Sequence, residues 1–209
     1  MLNKKQNKYK QKPNLIIVEG SRGTGKSSAT HQLRQQLKYT NLCNLTGNKY
    51  PNNENKTYTM YKTWNKFLYK MRNKGINFLF DRYFFSEIAL CRLKRKEYDF
   101  EKSYKKLKEY LVKKLSKHYN IYFILLYCDE DSFKIRLKRD KIENNNYDPY
   151  SVQNSIDIQE QYMRIYNDLT HYKNINSILI DNSNINIEET IDIIKNHIKY
   201  RYIIYKGSE

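Results

Sequence analysis

Glycine, proline and cysteine are scarce in this chain: six, three and three among 209 residues. Cys43, Cys91 and Cys128 are odd in number and widely spaced, so neither a disulfide framework nor a zinc-binding pattern is present. Reduced thiols in a cytoplasmic compartment are expected. There is no run of about 18 apolar residues, which excludes a membrane-spanning helix. Met1–Lys12 carries five lysines but no apolar stretch, so no secretory signal is expected there. Acids are also few, 22 against 39 Lys and Arg, for a net charge of +17. Such an excess suits nucleic acid or another polyanion. The lysines are spread along most of the chain, however, and no nucleic-acid module signature stands out. A composition rich in Lys, Asn, Ile and Tyr is the simpler account, with non-specific nucleic-acid affinity as a side effect. No repeat or second domain boundary is visible. The simplest organisation is a basic flexible arm over 1–13 followed by one α/β domain over 14–209.

The scarce glycines are concentrated where they carry information. Three of the six fall in one loop, at Gly20, Gly23 and Gly25. A short apolar run, Leu15–Val18, reads as a strand. Gly20-x-x-x-x-Gly25-Lys26-Ser27 behind it fits the P-loop pattern. The glycines let successive N–H groups of Gly20, Ser21, Arg22, Gly23, Thr24 and Gly25 turn inward on phosphate oxygens. Lys26 reaches the β- and γ-phosphates of a nucleotide and the Ser27 hydroxyl can ligate Mg²⁺. Ser28 opens a stretch of good helix formers with Ala29, Leu33 and Leu37 at i, i+4 and i+8. The loop therefore starts a helix, about 24–38, whose positive end favours an anion.

Further along, 41–45 is predicted to be a short strand and 46–57 a polar loop. Tyr61, Trp64, Phe67, Leu68 and Met71 predict a helix over 58–73, followed after Gly75 by a buried-type strand over 76–80. That strand runs into Asp81-Arg82. A carboxylate at the C-terminal end of a parallel strand sits on the edge where open α/β sheets bind ligands. Asp81 can hold Mg²⁺-bound water or accept a proton, and Arg82 can grip phosphate with its planar fork. A long basic helical region is expected over 86–117, with eleven Lys and Arg against four acids between Arg92 and Lys117 and an apolar stripe at Leu107, Leu111 and Leu115. Residues 121–127 give the strongest strand signal. A helix over 129–140 ends among Arg136, Lys138 and Arg139, then dissolves into a polar loop. Cations there suit a lid over ATP phosphates, about 136–150. A helix over 151–172, a strand over 178–180 and a helix over 187–200 complete a three-layer α/β P-loop fold with a central parallel sheet and a helical lid. Neither a Walker-B-like ATPase strand nor an Asn-Lys-x-Asp guanine reader is present, which favours a small-molecule kinase over a motor or switch.

Val18-Glu-Gly-Ser-Arg-Gly-Thr-Gly-Lys-Ser27, Gly75-Ile-Asn-Phe-Leu-Phe-Asp-Arg-Tyr-Phe-Phe-Ser86, Lys138-Arg139 and Ile178-Leu-Ile-Asp-Asn-Ser183 occur in the order found in thymidylate kinases. Over about 14–200 the chain resembles a divergent member of the thymidylate kinase and deoxynucleoside kinase superfamily. The resemblance implies that Lys26 and Ser27 bind ATP phosphates and Mg²⁺, that Arg82 contacts the acceptor phosphate, and that Asp81 organises Mg²⁺ or the acceptor. It implies a lid arginine at Arg139 or Arg136, and places the loop after Asp181 near adenine. The partner is then a nucleoside monophosphate or nucleoside, and a homodimer is admitted. Three departures stand out: Arg22 occupies a position usually acidic in thymidylate kinases, no Glu-Pro-type element follows the second strand, and Tyr61 stands where an arginine is expected. A nucleoside 5′-hydroxyl must lose a proton to a base, whereas a monophosphate offers an ionised oxygen. With no strand-two carboxylate evident (Glu54 lies in the expected loop) and Arg22 adding charge, the residues favour a monophosphate acceptor such as dTMP over a nucleoside. A non-catalytic or nucleic-acid-associated P-loop protein, a 5′-end kinase included, is the other class.

Overall fold

The computed structural model describes residues 12–45, 53–143 and 151–206. Alternation along the strands sets the layers, because successive side chains of a strand point to opposite faces. Leu15, Ile16, Ile17 and Val18 are all fully buried in strand β1 (Asn14–Glu19). Leu15 and Ile17 enter one apolar core, Ile16 and Val18 another. A strand buried on both faces must lie inside a sheet covered by helices. Strands β2 (Thr40–Asn44), β3 (Asn77–Asp81), β4 (Asn120–Tyr127) and β5 (Ile175–Asp181) pair around it, all parallel, in the order β2-β3-β1-β4-β5.

Helices α1 (Lys26–Gln36) and α7 (Ile187–Lys206) cover the face of Ile16 and Val18, contributing Ala29, Leu33, Ile191 and Ile194. The opposite face packs against α2 (Glu54–Met71), α3 (Phe84–Arg92), α4 (Glu101–Lys113) and α6 (Val152–Thr170). That core is aromatic: Tyr61 meets Tyr83, Phe84 and Phe100 in edge-on contacts at 5.7, 6.2 and 6.4 Å between centroids. Helix α5 (Glu130–Glu143) packs Phe133 and Leu137 with Cys128 against Val152 and Ile156 of α6. The three-layer α/β architecture with a parallel central sheet is thus the one expected.

Several boundaries differ from expectation. The basic region over 86–117 is two helices, not one. The backbone turns at Lys94, in the left-handed region (φ 54°), and α4 restarts where Asp99 Oδ1 accepts from the Glu101 N–H. Five of its cations are paired, Arg92 with Glu101, Arg95 with Asp157, Lys96 with Glu87, Lys108 with Asp168 and Lys113 with Glu109. Helix α2 starts four residues early because the Asn53 side chain caps it, accepting from Lys56 N–H at 3.1 Å. Glu54 therefore lies on a helix, not in a loop, and accepts from Ser103 Oγ at 2.6 Å. β5 extends over seven residues because β4 templates it from Ile121↔Ile175 to Tyr127↔Asp181. Most of the expected basic arm, the loop over 46–52 and the 144–150 part of the expected lid lie outside the described residues. Among the described residues no helix is long and apolar enough to cross a membrane, and the three cysteines are free thiols.

Candidate functional site

The C-terminal ends of β1 and β3 lie side by side, with Val18 opposite Asp81 and the Arg82 N–H bonded to Val18 O at 3.2 Å. Everything chemically notable gathers there. At Gly20 a Cβ would stand 2.6 Å from the Leu126 carbonyl oxygen, so β1 can turn beside β4 only with glycine. Gly25 is left-handed (φ 79°) and delivers the chain into α1. Its missing Cβ leaves room for Asn182, 4% exposed, whose Nδ2 donates to Thr24 O at 2.7 Å and whose Oδ1 accepts from Thr190 Oγ1 at 2.5 Å. The start of α7 thus braces the P-loop through one amide.

Lys26 is buried, and its Nζ donates to Asp81 Oδ1 at 2.8 Å. Burial, with Arg82 nearby, lowers its pKa to about 8, against the opposing pull of Asp81. The other Asp81 oxygen lies 3.4 Å from Thr30 Oγ1, whose nearer acceptor is Ser27 O at 3.0 Å. Arg82 sits in the left-handed region (φ 68°), an unusual conformation for a non-glycine residue. Burial opposes its charge, but Tyr162, Glu19 and Asp81 outweigh this and raise its pKa.

Glu19 is the buried partner of this turn. It is fully enclosed, accepts from the Tyr83 N–H at 2.7 Å and from Ser86 Oγ at 2.8 Å, and burial pushes its pKa up to about 7 despite Arg82, Tyr83 N–H, Ser86 and Lys26. From α6, Tyr162 OH lies 2.8 Å from Ser86 Oγ and accepts from Arg82 Nη1 at 3.2 Å.

A cavity of about 450 Å³ opens over these groups, lined by Ser21, Arg22, Gly23, Gly25 and 26–28 of the loop, with Arg82, Arg136, Arg139, Asn182, Ile185 and Ile187. It brings together Arg22, Lys26, Ser27, Ser28, Arg82, Arg136 and Arg139 from the predicted site. Gly20, Thr24 and Asp81 stand behind its wall; Asp81 is 1% exposed and reaches the cavity through Lys26. The two candidate lid arginines differ in placement. Arg136 is tied down: it donates to Gly23 O, Asn182 O, Ser183 O and Cys128 Sγ at 3.3, 2.5, 3.2 and 3.1 Å. Arg139, one turn on, is exposed at the cavity rim.

Of the two predicted Mg²⁺ donors, Ser27 lines the cavity and Asp81 lies behind it, paired with Lys26. Among the described residues no cluster of three His, Cys, Asp or Glu offers a full cage. Mg²⁺ commonly takes one or two protein oxygens plus substrate phosphates, so this sparse donor set fits it. Sequence reading assigned no role to Glu19, Ser86, Tyr162, Asn182 or Thr190, although Glu19, Ser86 and Asn182 stand in the motifs that carry the family resemblance.

No family model and no curated protein matches the chain. Solved structures do. YorR from Bacillus subtilis, in complex with phosphorylated GDP, superposes with a TM-score of 0.64 at 15% identity over 90% of this chain and 98% of that one. This is the thymidylate and deoxynucleoside kinase type of P-loop fold. A deoxyadenosine kinase from M. mycoides with dCMP and dCDP bound has a TM-score of 0.53 at 14% identity, covering 89% of this chain and 98% of its own. Thymidylate kinase from Candida albicans gives 0.52 at 18%, covering 89% and 94%. At 14–18% identity these likenesses speak for the fold alone.

Proposed function

We propose that the protein is an ATP-dependent nucleotide kinase that transfers the γ-phosphoryl group of ATP to a nucleoside monophosphate such as dTMP. The observation that carries this reading is the charge of the cavity wall. Arg22, Lys26, Arg82, Arg136 and Arg139 line it, and among the described residues no Asp, Glu or His does. A 5′-hydroxyl acceptor needs a base within hydrogen-bond reach. A monophosphate needs only alignment and neutralisation, which cations supply. Glu19 is no substitute base, because it is fully buried and does not line the cavity. Arg22, where thymidylate kinases usually carry an acid, adds to the same balance.

In this reading the P-loop amides and Lys26 hold the ATP phosphates, and Arg82 holds the acceptor phosphate in line. Arg22 and Arg139 spread the charge that develops on the transferred group. Ser27 and Asp81 would hold Mg²⁺, which supplies charge neutralisation between the phosphates. Asp81 would be open to the ion only if Lys26, now paired with it, turned to a phosphate oxygen. The kinase is expected to act in the cytoplasm.

The test is ADP release from Mg²⁺-ATP against a panel of deoxynucleoside monophosphates and free deoxynucleosides, with Lys26→Ala as the blank. Turnover on a monophosphate that vanishes in the variant supports the reading and names the base. Turnover on free nucleosides alone replaces it with a deoxynucleoside kinase. Silence on both, with tight binding to nucleic-acid ends that survives moderate salt, replaces it with a nucleic-acid-associated protein.

A further inference from the structure

Three polar groups behind the cavity wall that the phosphoryl-transfer scheme does not use, Tyr162, Ser86 and Glu19, form a directional chain that starts from Arg82. Arg82 Nη1 donates to the Tyr162 hydroxyl at 3.2 Å, and Ser86 Oγ donates to Glu19 Oε2 at 2.8 Å. With the serine proton on Glu19, the 2.8 Å contact between Tyr162 and Ser86 runs from the phenol to the serine oxygen, and the phenol proton also lies within reach of Glu19. The order is therefore guanidinium, phenol, hydroxyl, carboxylate. The second Glu19 oxygen takes the Tyr83 N–H, the amide immediately after the left-handed Arg82. Glu19, Ser86 and Tyr162 are 0%, 8% and 0% exposed, so water does not compete for these partners. β1, the turn after β3, α3 and α6 each contribute one member.

We propose that Glu19 is a positioning residue: as terminal acceptor of this relay it fixes the φ-positive turn at Arg82 and aims the guanidinium at the acceptor phosphate. The geometry dictates why a carboxylate is needed. An amide at position 19 would present N–H to Ser86 and force the serine proton toward Tyr162. The phenol proton would then have no acceptor, and Arg82 would face a hydroxyl pointing the wrong way. Loss of any one member frees the guanidinium to leave the cavity wall, while the ATP-binding loop keeps its own braces at Asn182 and Arg136.

This rests on the monophosphate reading, and the test separates the two. Glu19→Gln, Ser86→Ala and Tyr162→Phe are compared with wild type for KM toward dTMP, or the monophosphate found active, and toward ATP. The Arg82 Nε–Hε resonance is followed in parallel by ¹⁵N NMR, assigned with Arg82→Lys. The expected result is a rise of about tenfold in acceptor KM, with ATP KM within about twofold. The Ser86→Ala, Tyr162→Phe double variant should be no worse than either single one, because both cut the same chain. The Arg82 resonance should shift in every folded variant. Should Glu19→Gln fail to fold, the other two variants carry the test. If wild type turns over no monophosphate, the functional reading fails, and the resonance still decides the relay. Equal losses toward ATP and acceptor, additive losses in the double variant, or an unmoved Arg82 resonance would each overturn the proposal.

Discussion

Asn182→Ala should loosen the phosphate loop from behind, without touching any group that meets a phosphate through its side chain. The truncation removes two hydrogen bonds, one to Thr24 O and one from Thr190 Oγ1. They are not equal losses. The Thr190 hydroxyl keeps a second acceptor, Asn186 O at 2.9 Å, so its proton can turn there. The Thr24 carbonyl lies in a dry wall, and an unsatisfied buried acceptor costs about 1–3 kcal/mol. A loss of about 2 kcal/mol in global stability follows, which for a chain of this size lowers Tm by about 4–8 °C. Nucleotide binding should suffer too, because the Thr24–Gly25 peptide is no longer held in the orientation that the loop amides need. We expect ATP to bind about tenfold more weakly, equivalent to about 1.4 kcal/mol. Urea unfolding and titration with a fluorescent ATP analogue measure the two effects. Asn182→Asp sharpens the comparison: it still accepts from Thr190 but turns a carboxylate on the Thr24 carbonyl, so it should bind ATP less well than the alanine variant. An alanine variant within about 0.5 kcal/mol of wild type, with ATP affinity within twofold, would refute the bracing role.

Other perturbations separate roles that composition alone would merge. Arg139→Ala should lower kcat by about 100-fold with little change in Tm, as expected for a cation acting mainly in the transition state; an unchanged kcat would remove it from the mechanism. Arg136→Ala should instead show first in stability, by about 2–3 kcal/mol in urea, since it strands the carbonyls of Gly23 and Asn182, while Ser183 O keeps Ser132 Oγ at 3.1 Å. Glu19 predicts a pH effect on folding. Its carboxyl rises from 4.5 to about 7 on burial, so its contribution to stability is fully present below pH 4.5 and is lost as pH rises through 7. Between pH 5 and 8 wild type should therefore lose up to about 3 kcal/mol relative to Glu19→Gln, and parallel pH–stability curves for the two proteins would contradict this.

The sheet and the phosphate loop were legible because their signals are local. Leu15–Val18 and Ile121–Tyr127 are unbroken apolar runs, and the spacing of Gly20, Gly25, Lys26 and Ser27 follows from what a phosphate requires. Asp81 and Arg82 could be picked out from a strand end alone. What escaped was set by tertiary partners. Nothing around Asn182 announces that its amide will meet Thr24, and Tyr162 looks like any other aromatic on an amphipathic helix. Arg136 and Arg139 are three apart on one helix face, so periodicity could not separate the clamp from the rim cation; only the position of Gly23 and Ser183 does. The break between α3 and α4 was hidden because 93–100 has neither proline nor glycine, and the turn falls to Lys94 in a left-handed conformation.

The edge-on aromatic packing around α2 gives this protein a built-in optical probe. The chain has a single tryptophan, Trp64, among 21 tyrosines. Its indole stands 5.6 Å from the Phe80 ring and 5.7 Å from the Phe67 ring, half-buried where α2 meets β3. Phe80 directly precedes Asp81, so displacement of the β3 end or of α2 changes the surroundings of one chromophore. Emission can thus be assigned to a known residue without labelling, and energy transfer from tyrosine adds sensitivity to ring rearrangement within the core. Stopped-flow fluorescence on the unmodified chain can time the response of this wall to a ligand.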